Sequence, residues 1–465
     1  MIVISCSDTG LMYSIFHLCK AFFPNCEIKQ KIIKKKQVSM LQLRLESGAC
    51  FSVNFEKEKQ NSKQEMTRQV YYFLVRETKK TLPWGMLTGV RPSKLAFREI
   101  EQGKETSEVV CYLKETYEIS QEKAKLAVEI AQREQILLQP VNQQDGFSLY
   151  VGIPFCPGIC YYCSFSSGDI RHWQNRVDAY VDALCKELAA IGAFTKGKML
   201  QTIYIGGGTP TTLTTEQLEQ VLSTIANHFS MEHLLEYTVE AGRADTITWE
   251  KLKLLRSFDI SRISINPQTM QDKTLKRIGR RHSVLQVKTS FSLARECGFH
   301  QINMDVIVGL PGEEREDVQD TLAQIIALDP DSLTVHALAM KRGARYAWER
   351  PEVVEQGKVY AQMMDLARQG ADKMEMFPYY LYRQKNIAGN FENVGYAKVD
   401  KAGIYNILIM EEKQSIWAAG AGAVSKMLVS SQAKKIRRME NVKDIAAYID
   451  RVDEMIVRKG EEKWL

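Results

Sequence analysis

Apolar residues recur along this chain with two different periods, and the change between them divides it. Up to about residue 140, "VSMLQLRLES" and "ACFSVNFE" read as strands, while "EMTRQVYYFLVRETKK" and "QEKAKLAVEIAQREQILL" read as amphipathic helices. Between those helices lies "LPWGMLTGVRPSKL", Leu82–Leu95. Its Pro83, Gly85, Gly89 and Pro92 predict a structured turn leading into a helix, with Pro92 near the first turn. The expectation is a small α+β domain over residues 1–140, closed by the polar linker "QPVNQQDG".

From residue 145 the pattern becomes regular. Short β-rich runs, "FSLYVGI", "TIYI", "EYTVE", "RISI", "INMDVI" and "SLTVH", alternate with helical segments. One such helix places Val177, Tyr180, Val181, Leu184, Leu188 and Ile191 on one face. Another opens at Thr214 with Gln217 three residues on, the spacing of a capping box. Strands alternating with helices predict parallel βα units. Six of them over residues 145–340 predict an α/β fold, a partial (β/α)6 barrel whose chemistry sits at the C-terminal ends of its strands. Over 341–465 the alternation lapses into an aromatic run, "FPYYLYRQKN", glycine-rich stretches and a final amphipathic helix around "NVKDIAAYIDRVDEMI". This segment reads as a C-terminal α+β extension that covers the substrate.

Composition narrows the class. A 465-residue chain is too long for one ordinary domain. Its 45% hydrophobic and 25% charged residues match a soluble globular protein. A net charge of +6 is too modest to argue for nucleic acid. The basic run "KQKIIKKKQ", Lys29–Gln37, reads as a solvated strand edge. No apolar stretch approaches the roughly 20 residues of a membrane span, and "MIVISCSDTG" lacks the marks of a signal peptide. Ten cysteines in so long a chain are not a disulfide framework. Cys19, Cys50, Cys111, Cys185 and Cys297 read as buried thiols, and a reducing cytoplasm is the expected location.

The stretch "VGIPFCPGICYYCSF" is different: Cys156, Cys160 and Cys163 fall within eight residues, just after the first barrel strand. A structural zinc site needs a fourth ligand, and none lies nearby, His172 being nine residues past Cys163. A redox Cys-x2-Cys pair accounts for Cys160 and Cys163 but leaves Cys156 idle. An iron–sulfur cluster uses thiolates, commonly four, and three would leave one iron open to an exogenous ligand. Further on, "GGGTPT", Gly206–Thr211, follows the second strand without the Lys-Ser/Thr of a phosphate loop. Its glycines make a tight turn or admit a ligand close to the backbone. Glu240 ends the third strand, Gln268 the fourth and Asp305 the fifth, before a turn rich in Gly and Pro, and "TLKRIGRRH" supplies Arg280.

The Cys-x3-Cys-x2-Cys spacing after a first barrel strand resembles the signature of the radical S-adenosylmethionine (SAM) superfamily. "IPFCPGICYYCSF" resembles, more narrowly, the oxygen-independent coproporphyrinogen III oxidase group. That resemblance implies a [4Fe–4S] cluster on Cys156, Cys160 and Cys163, with SAM on its open iron. It implies SAM contacts for Tyr150, for Gly207, Gly208 and Thr209, and for Glu240, Gln268, Arg280 and Asp305.

"WGMLTGVRPSKL", "TVEAGR", "RISINPQTM" and "PYYLYRQKNIAGNFENVGYA" resemble the HemZ type of coproporphyrinogen dehydrogenase. The implied reaction is oxidative decarboxylation of two propionates to vinyls. The implied partners are a tetrapyrrole, coproporphyrinogen III or heme, and a flavodoxin- or ferredoxin-like electron donor, with neither nucleic acid nor membrane. Lys341, Arg342, Arg383 and Lys385 are candidate cations for the substrate carboxylates, each with an ordinary surface role as the alternative. Ser164 and Phe165 stand where well-established dehydrogenases add a further cysteine, a point shared with the heme chaperones of the superfamily. "IYNILIM", with Tyr405 and Asn406, lacks the histidine of the chaperones' heme motif. A chaperone, or a radical SAM enzyme acting on heme itself, therefore stands as the alternative.

Overall fold

The computed structural model describes residues 1–24, 26–33, 39–55, 62–89, 91–165, 167–339, 357–383, 391–430 and 435–461. It divides into two compact units, Met1–Arg133 with Leu381–Asn393, and Glu134–Tyr380 with Val394–Leu465.

In the first unit, β1 (Ile2–Cys6), β2 (Ile28–Ile32), β3 (Ser39–Arg44) and β4 (Cys50–Phe55) form a sheet in the order β2-β1-β3-β4. Alternate residues of β1, Ile2, Ile4 and Cys6, meet Leu11, Ile15 and Leu18 of α1 (Thr9–Phe22) and Val70 and Leu74 of α2 (Ser62–Thr78) in one core. β2 is an edge strand with Lys29 and Lys31 exposed, as its composition predicts; residues 34–38 lie outside the described chain. α3 (Ser93–Glu101), α4 (Thr106–Tyr117) and α5 (Gln121–Leu137) follow, α3 capped by Pro92.

Gly85 stands at φ +54° in the turn before α3, where a Cβ would fall 2.1 Å from Tyr117 O. Neighbouring Trp84 is fully buried and donates from Nε1 to Glu392 Oε2 at 2.7 Å, and Lys123 Nζ bonds Glu392 Oε1 at 2.7 Å. These bonds tie Leu381–Asn393 to the first unit, although the sequence pattern groups that stretch with the C-terminal extension. Arg383, expected as a surface cation or a carboxylate ligand, is buried instead. It lies 5.6 Å over the Trp84 ring and donates to Leu87 O at 2.5 Å, so its charge is spent inside the unit. Lys341, Arg342 and Lys385 lie outside the described residues. Two of the expected buried thiols are exposed: Cys50 opens β4, and Cys111 is on the solvent face of α4, 3.1 Å from Glu115 Oε1. Cys185 and Cys297 are half-buried, and only Cys19 of the five is buried.

The second unit is built on one eleven-stranded sheet. All six expected strands form: β5 (Gly146–Ile153), β8 (Met199–Gly207), β9 (Glu236–Glu240), β10 (Arg262–Ser264), β11 (Ile302–Val308) and β12 (Ser332–Ala337). They are parallel and adjacent in that order, each added beside the last, which is the partial barrel. The short pair β6 (Phe155–Cys156) and β7 (Gly168–Asp169) stands apart from it. Beyond β12 come β14 (Asn393–Ala397) and β13 (Phe377–Tyr382). Beyond β5 come β15 (Ser415–Ala419), β16 (Val424–Ser430) and β17 (Lys435–Glu440).

The C-terminal segment therefore extends the barrel sheet at both ends. Helix α6 (Val177–Phe194) buries all six residues of its expected face. The box at α7 (Thr215–His228) closes, with Gln217 N donating to Thr214 Oγ1 at 3.2 Å and Thr214 N to Gln217 Oε1 at 3.0 Å. The last amphipathic stretch forms two helices, Ile445–Asp450 and Val452–Glu461. Among the described residues no helix is long and apolar enough to cross a membrane.

Candidate functional site

Strand β5 runs through Ile153 into Pro154 and β6, and the chain returns at β7, whose Asp169 pairs with Cys156. The excursion between them carries Cys160 and Cys163. It is anchored by Tyr161 N–H to Ile278 O at 3.0 Å and by Cys163 N–H to Cys160 O at 3.0 Å. The three thiols form no disulfide, and their neighbours in the loop add to the upward shift of Cys156 and Cys163. Burial pushes the Cys156 thiol up and Cys163 up to about 11, so a cation at the loop would be needed to hold the thiolates. Among the described residues, no three Cys, His, Asp or Glu side chains are grouped as ligands of a single ion. A cluster asks for a different arrangement, with each thiolate on its own iron.

The glycine turn is stitched to this loop. Gly208 N–H bonds Ile153 O and Thr209 N–H bonds Phe155 O, both at 2.7 Å, and Thr209 Oγ1 lies 3.6 Å from Cys156 Sγ. A Cβ on Gly208 would fall 2.5 Å from Phe155 O, and one on Gly206 would fall 2.9 Å from the Glu240 carboxylate. Glycine is thus set here by close approach, between the thiol loop on one side and a carboxylate on the other.

Two acidic side chains, Glu240 and Asp305, lie close enough to repel on the carboxylate side, and the backbone of Gln268 is bonded beside Asp305. Glu240 ends β9 and accepts from the Tyr204 hydroxyl. Its burial, with Asp305 adding repulsion, pushes the Glu240 carboxyl up to about 7 against the bonds from Tyr204 and Gly207. Asp305, on β11, accepts from Asn303 Nδ2 at 2.7 Å and lies 3.6 Å from His336 Nε2 on β12. Burial works against that carboxylate, but His336 and Asn303 outweigh it and hold Asp305 below its ordinary range. Gln268 follows Pro267 at φ +69°, in the left-handed region where glycine or asparagine is usual. The strain is held by Gln268 N–H to Asp305 O and Ile307 N–H to Gln268 O, both at 2.9 Å. A bulky residue kept in a left-handed conformation is commonest where its side chain has a task.

Arg280 is 7% exposed rather than a solvated cation. It donates from Nη1 to Asn266 O and from Nη2 to the Tyr162 hydroxyl at 3.1 Å. Burial opposes its charge, yet Tyr162 and Cys160 outweigh burial and keep it charged. The structure thus places Arg280 at the thiol loop and Glu240, with Asp305 near it, on the other side of the glycine turn, while Gln268 is tied to Asp305 through its backbone alone.

Several residues at the site carry no pattern that isolates them in the sequence. Arg243 packs its guanidinium against the loop, 3.2 Å from Gly158 O and 3.9 Å from Cys160 Sγ. Its other edge is bidentate to Asp245 at 2.9 and 2.8 Å. His336 was legible only as an alternate position on a strand. Tyr150, expected at the site, pairs in register with Tyr204, and its ring stacks 6.4 Å from it. Tyr405, from the helix Ile404–Glu411, stacks 4.5 Å from Tyr204 and 6.5 Å from Tyr150, so the three rings form one cluster. Tyr405 is reached only through tertiary packing, its helix entry fixed by Glu236 Oε2, which accepts from Ile404 N–H and Tyr405 N–H.

A profile of the radical SAM superfamily matches residues 150–325. The oxygen-independent coproporphyrinogen-III oxidase-like protein HemZ of Bacillus subtilis is 41% identical over 378 residues, 80% of this chain and 75% of that protein. The heme chaperone HemW of Bacillus subtilis is 38% identical over 195 residues, 42% of this chain and 51% of that protein. The solved coproporphyrinogen III oxidase (HemN) from Escherichia coli, a radical SAM enzyme, shares the fold with a TM-score of 0.54 at 22% identity. That match covers 69% of this chain and 73% of the other. Radical SAM proteins use a [4Fe–4S] cluster and SAM. Three thiols on one closed excursion, two guanidiniums beside Cys160 and a side-chain-free turn alongside fit that pair of cofactors. By its thiol loop, its barrel and its match to most of HemZ, the chain belongs to the radical SAM superfamily, in the HemZ family.

Proposed function

We propose that the protein is an oxygen-independent coproporphyrinogen III dehydrogenase. The observation that carries this reading is the 378-residue likeness to a coproporphyrinogen-III oxidase-like protein, which extends well beyond the barrel. When bound, the cluster and SAM supply a 5′-deoxyadenosyl radical by one-electron cleavage of the sulfonium. Cys156, Cys160 and Cys163 would hold three irons and leave the fourth to SAM. The backbone of Gly207 and Gly208 and the hydroxyl of Thr209 would take the amino group, which needs acceptors and a close approach.

Glu240, Gln268 and Asp305 would orient the rest of SAM, the carboxylates accepting from hydroxyl or ammonium donors. The stacked tyrosines Tyr150 and Tyr204, half-buried, and Tyr405, buried, would line one side of the site and limit the access of bulk water. Each of two substrate propionates would give a hydrogen atom from its β-carbon to the 5′-deoxyadenosyl radical. It would then release CO2 and pass one electron to an external one-electron acceptor, leaving a vinyl. A flavodoxin- or ferredoxin-like protein would supply electrons in a reducing cytoplasm, in keeping with ten free cysteines.

A second reading, a heme chaperone, is favoured by the 38% identity to HemW and by Ser164–Phe165 after the third cysteine. The test incubates the anaerobically reconstituted protein with SAM and reductant, with coproporphyrinogen III in one arm and heme in the other. Mass spectrometry of the tetrapyrroles follows. Loss of two CO2 from coproporphyrinogen supports the dehydrogenase; stable heme binding with turnover of neither overturns it.

A further inference from the structure

Two buried guanidiniums approach one cysteine of the thiol loop. Arg280 comes from the chain after the helix Asp272–Arg277, and Arg243 comes from the turn after β9. Arg243 is 2% exposed, and its environment is built rather than incidental. Nη1 faces the loop, 3.2 Å from Gly158 O and 3.9 Å from Cys160 Sγ. Nε and Nη2 grip Asp245 at 2.9 and 2.8 Å. Asp245 is steadied in turn by His282, whose Nδ1 is 3.5 Å from Oδ1. A loop staple would need only the bonds to Gly158 and Asp245, and the approach to sulfur is a further feature.

We propose that Arg243, positioned by Asp245, sets the reduction potential of the cluster by holding a fixed positive charge and an N–H donor at Cys160. The inference rests on the reading that Cys156, Cys160 and Cys163 hold the cluster. An oxidised [4Fe–4S] core of charge +2 on three thiolates carries a net −1, and one electron from the reductant makes it −2. A desolvated cation beside a ligand sulfur therefore stabilises the reduced form more than the oxidised one. Net charge, hydrogen bonds to sulfur and solvent exposure are the levers by which a protein moves such a potential. Asp245 holds the guanidinium at the sulfur and offsets part of its charge. Asparagine at 245 keeps an oxygen acceptor for the guanidinium while removing the offsetting charge, so Asp245→Asn and Arg243→Gln move the potential in opposite directions, which a purely architectural pair would not do.

The experiment compares the full-length wild type, Arg243→Gln and Asp245→Asn, reconstituted anaerobically without SAM. Iron and sulfide per chain are measured, then the midpoint potential by an EPR-monitored redox titration with dithionite. Arg243→Gln is expected to keep its iron and become tenfold harder to reduce, a shift of about 59 mV to more negative potential for one electron. Asp245→Asn is expected to shift toward more positive potential. An unchanged potential in either variant that keeps full iron overturns the proposal. So does loss of the cluster from both, which would make the pair part of the loop's architecture alone. Cys160→Ala is run alongside: an undiminished [4Fe–4S] signal there overturns the assignment of the site itself and leaves the two failures distinct.

Discussion

Tyr204 donates its phenolic hydrogen to Oε1 of Glu240, joining the middle of β8 to the last residue of β9. The carboxyl it meets is half-buried near Asp305 and, without cofactor, is pushed up to about 7 from its ordinary 4.5 by burial and that repulsion. The folded state therefore keeps a proton that the unfolded chain gives up. Stability from this group is fully present below pH 4.5 and is lost as the pH rises through about 7, a swing of about 3 kcal/mol. Urea unfolding of the cofactor-free protein should show Glu240→Gln gaining on the wild type between pH 5 and pH 7.5. An equal pH dependence in both proteins would refute the assignment to Glu240.

Tyr405 is buried in the stack with Tyr204, and its hydroxyl has no partner among the described residues. A buried hydroxyl left unbonded costs about 1–3 kcal/mol. Tyr405→Phe in the cofactor-free protein should therefore hold the unfolding free energy measured in urea or raise it by up to about 1 kcal/mol. A loss of stability would show instead that a bound water or another group satisfies the hydroxyl.

Two glycines near the thiols should behave oppositely. On Gly208 a Cβ would strike two carbonyl oxygens, Phe155 O at 2.5 Å and Ile153 O at 2.9 Å, both backbone and unable to swing aside. On Gly158, between Cys156 and Cys160, a Cβ would meet nothing within 4 Å. Gly208→Ala should cost about 1–3 kcal/mol and lower the iron bound after reconstitution. Gly158→Ala should stay within about 0.5 kcal/mol with full iron. Thermal melts and iron assays on the two variants check the contrast.

The barrel was legible because its six strands and the α6 face repeat with clean periods, and Thr214 with Gln217 marks a helix start unaided. Cys156, Cys160 and Cys163 were legible because a spacing carries their chemistry, and Gly208 because three glycines in a row mark a tight turn or a close approach, of which the structure shows the second. Arg243, His336 and Tyr405 were not, since each becomes a site residue through contacts across strands that no local pattern encodes. Leu381–Asn393 belongs to the first unit for the same kind of reason. Glu392 bonds Trp84 and Lys123, partners 308 and 269 residues away. Cys50 and Cys111 show the converse limit, because an apolar neighbourhood in sequence does not say which face a residue takes.

Glu187 of α6 and Lys459 of the C-terminal helix form an ion pair at 0% and 2% side-chain exposure. The carboxylate is saturated: besides Lys459 it accepts from Tyr448 Oη at 2.6 Å, Gly420 N at 2.9 Å and Asn441 Nδ2 at 2.9 Å. Lys459 also donates to Asn441 Oδ1 at 2.8 Å. Removing the cation alone strands a buried anion, so Lys459→Met should cost about 3–5 kcal/mol. Replacing both charges removes the anion as well as its partner. Glu187→Gln with Lys459→Met should recover much of that loss, because Gln still accepts from Tyr448 and Gly420. Gly420 approaches Gly152 O so closely that a Cβ would stand 2.4 Å from it, and Gly152 precedes the thiol loop by four residues. The single variant should therefore also bind less iron on reconstitution, and the double variant should regain it. If the double variant unfolds at the same urea concentration as the single one, the pair is not coupled and the packing of the C-terminal helix alone accounts for the loss.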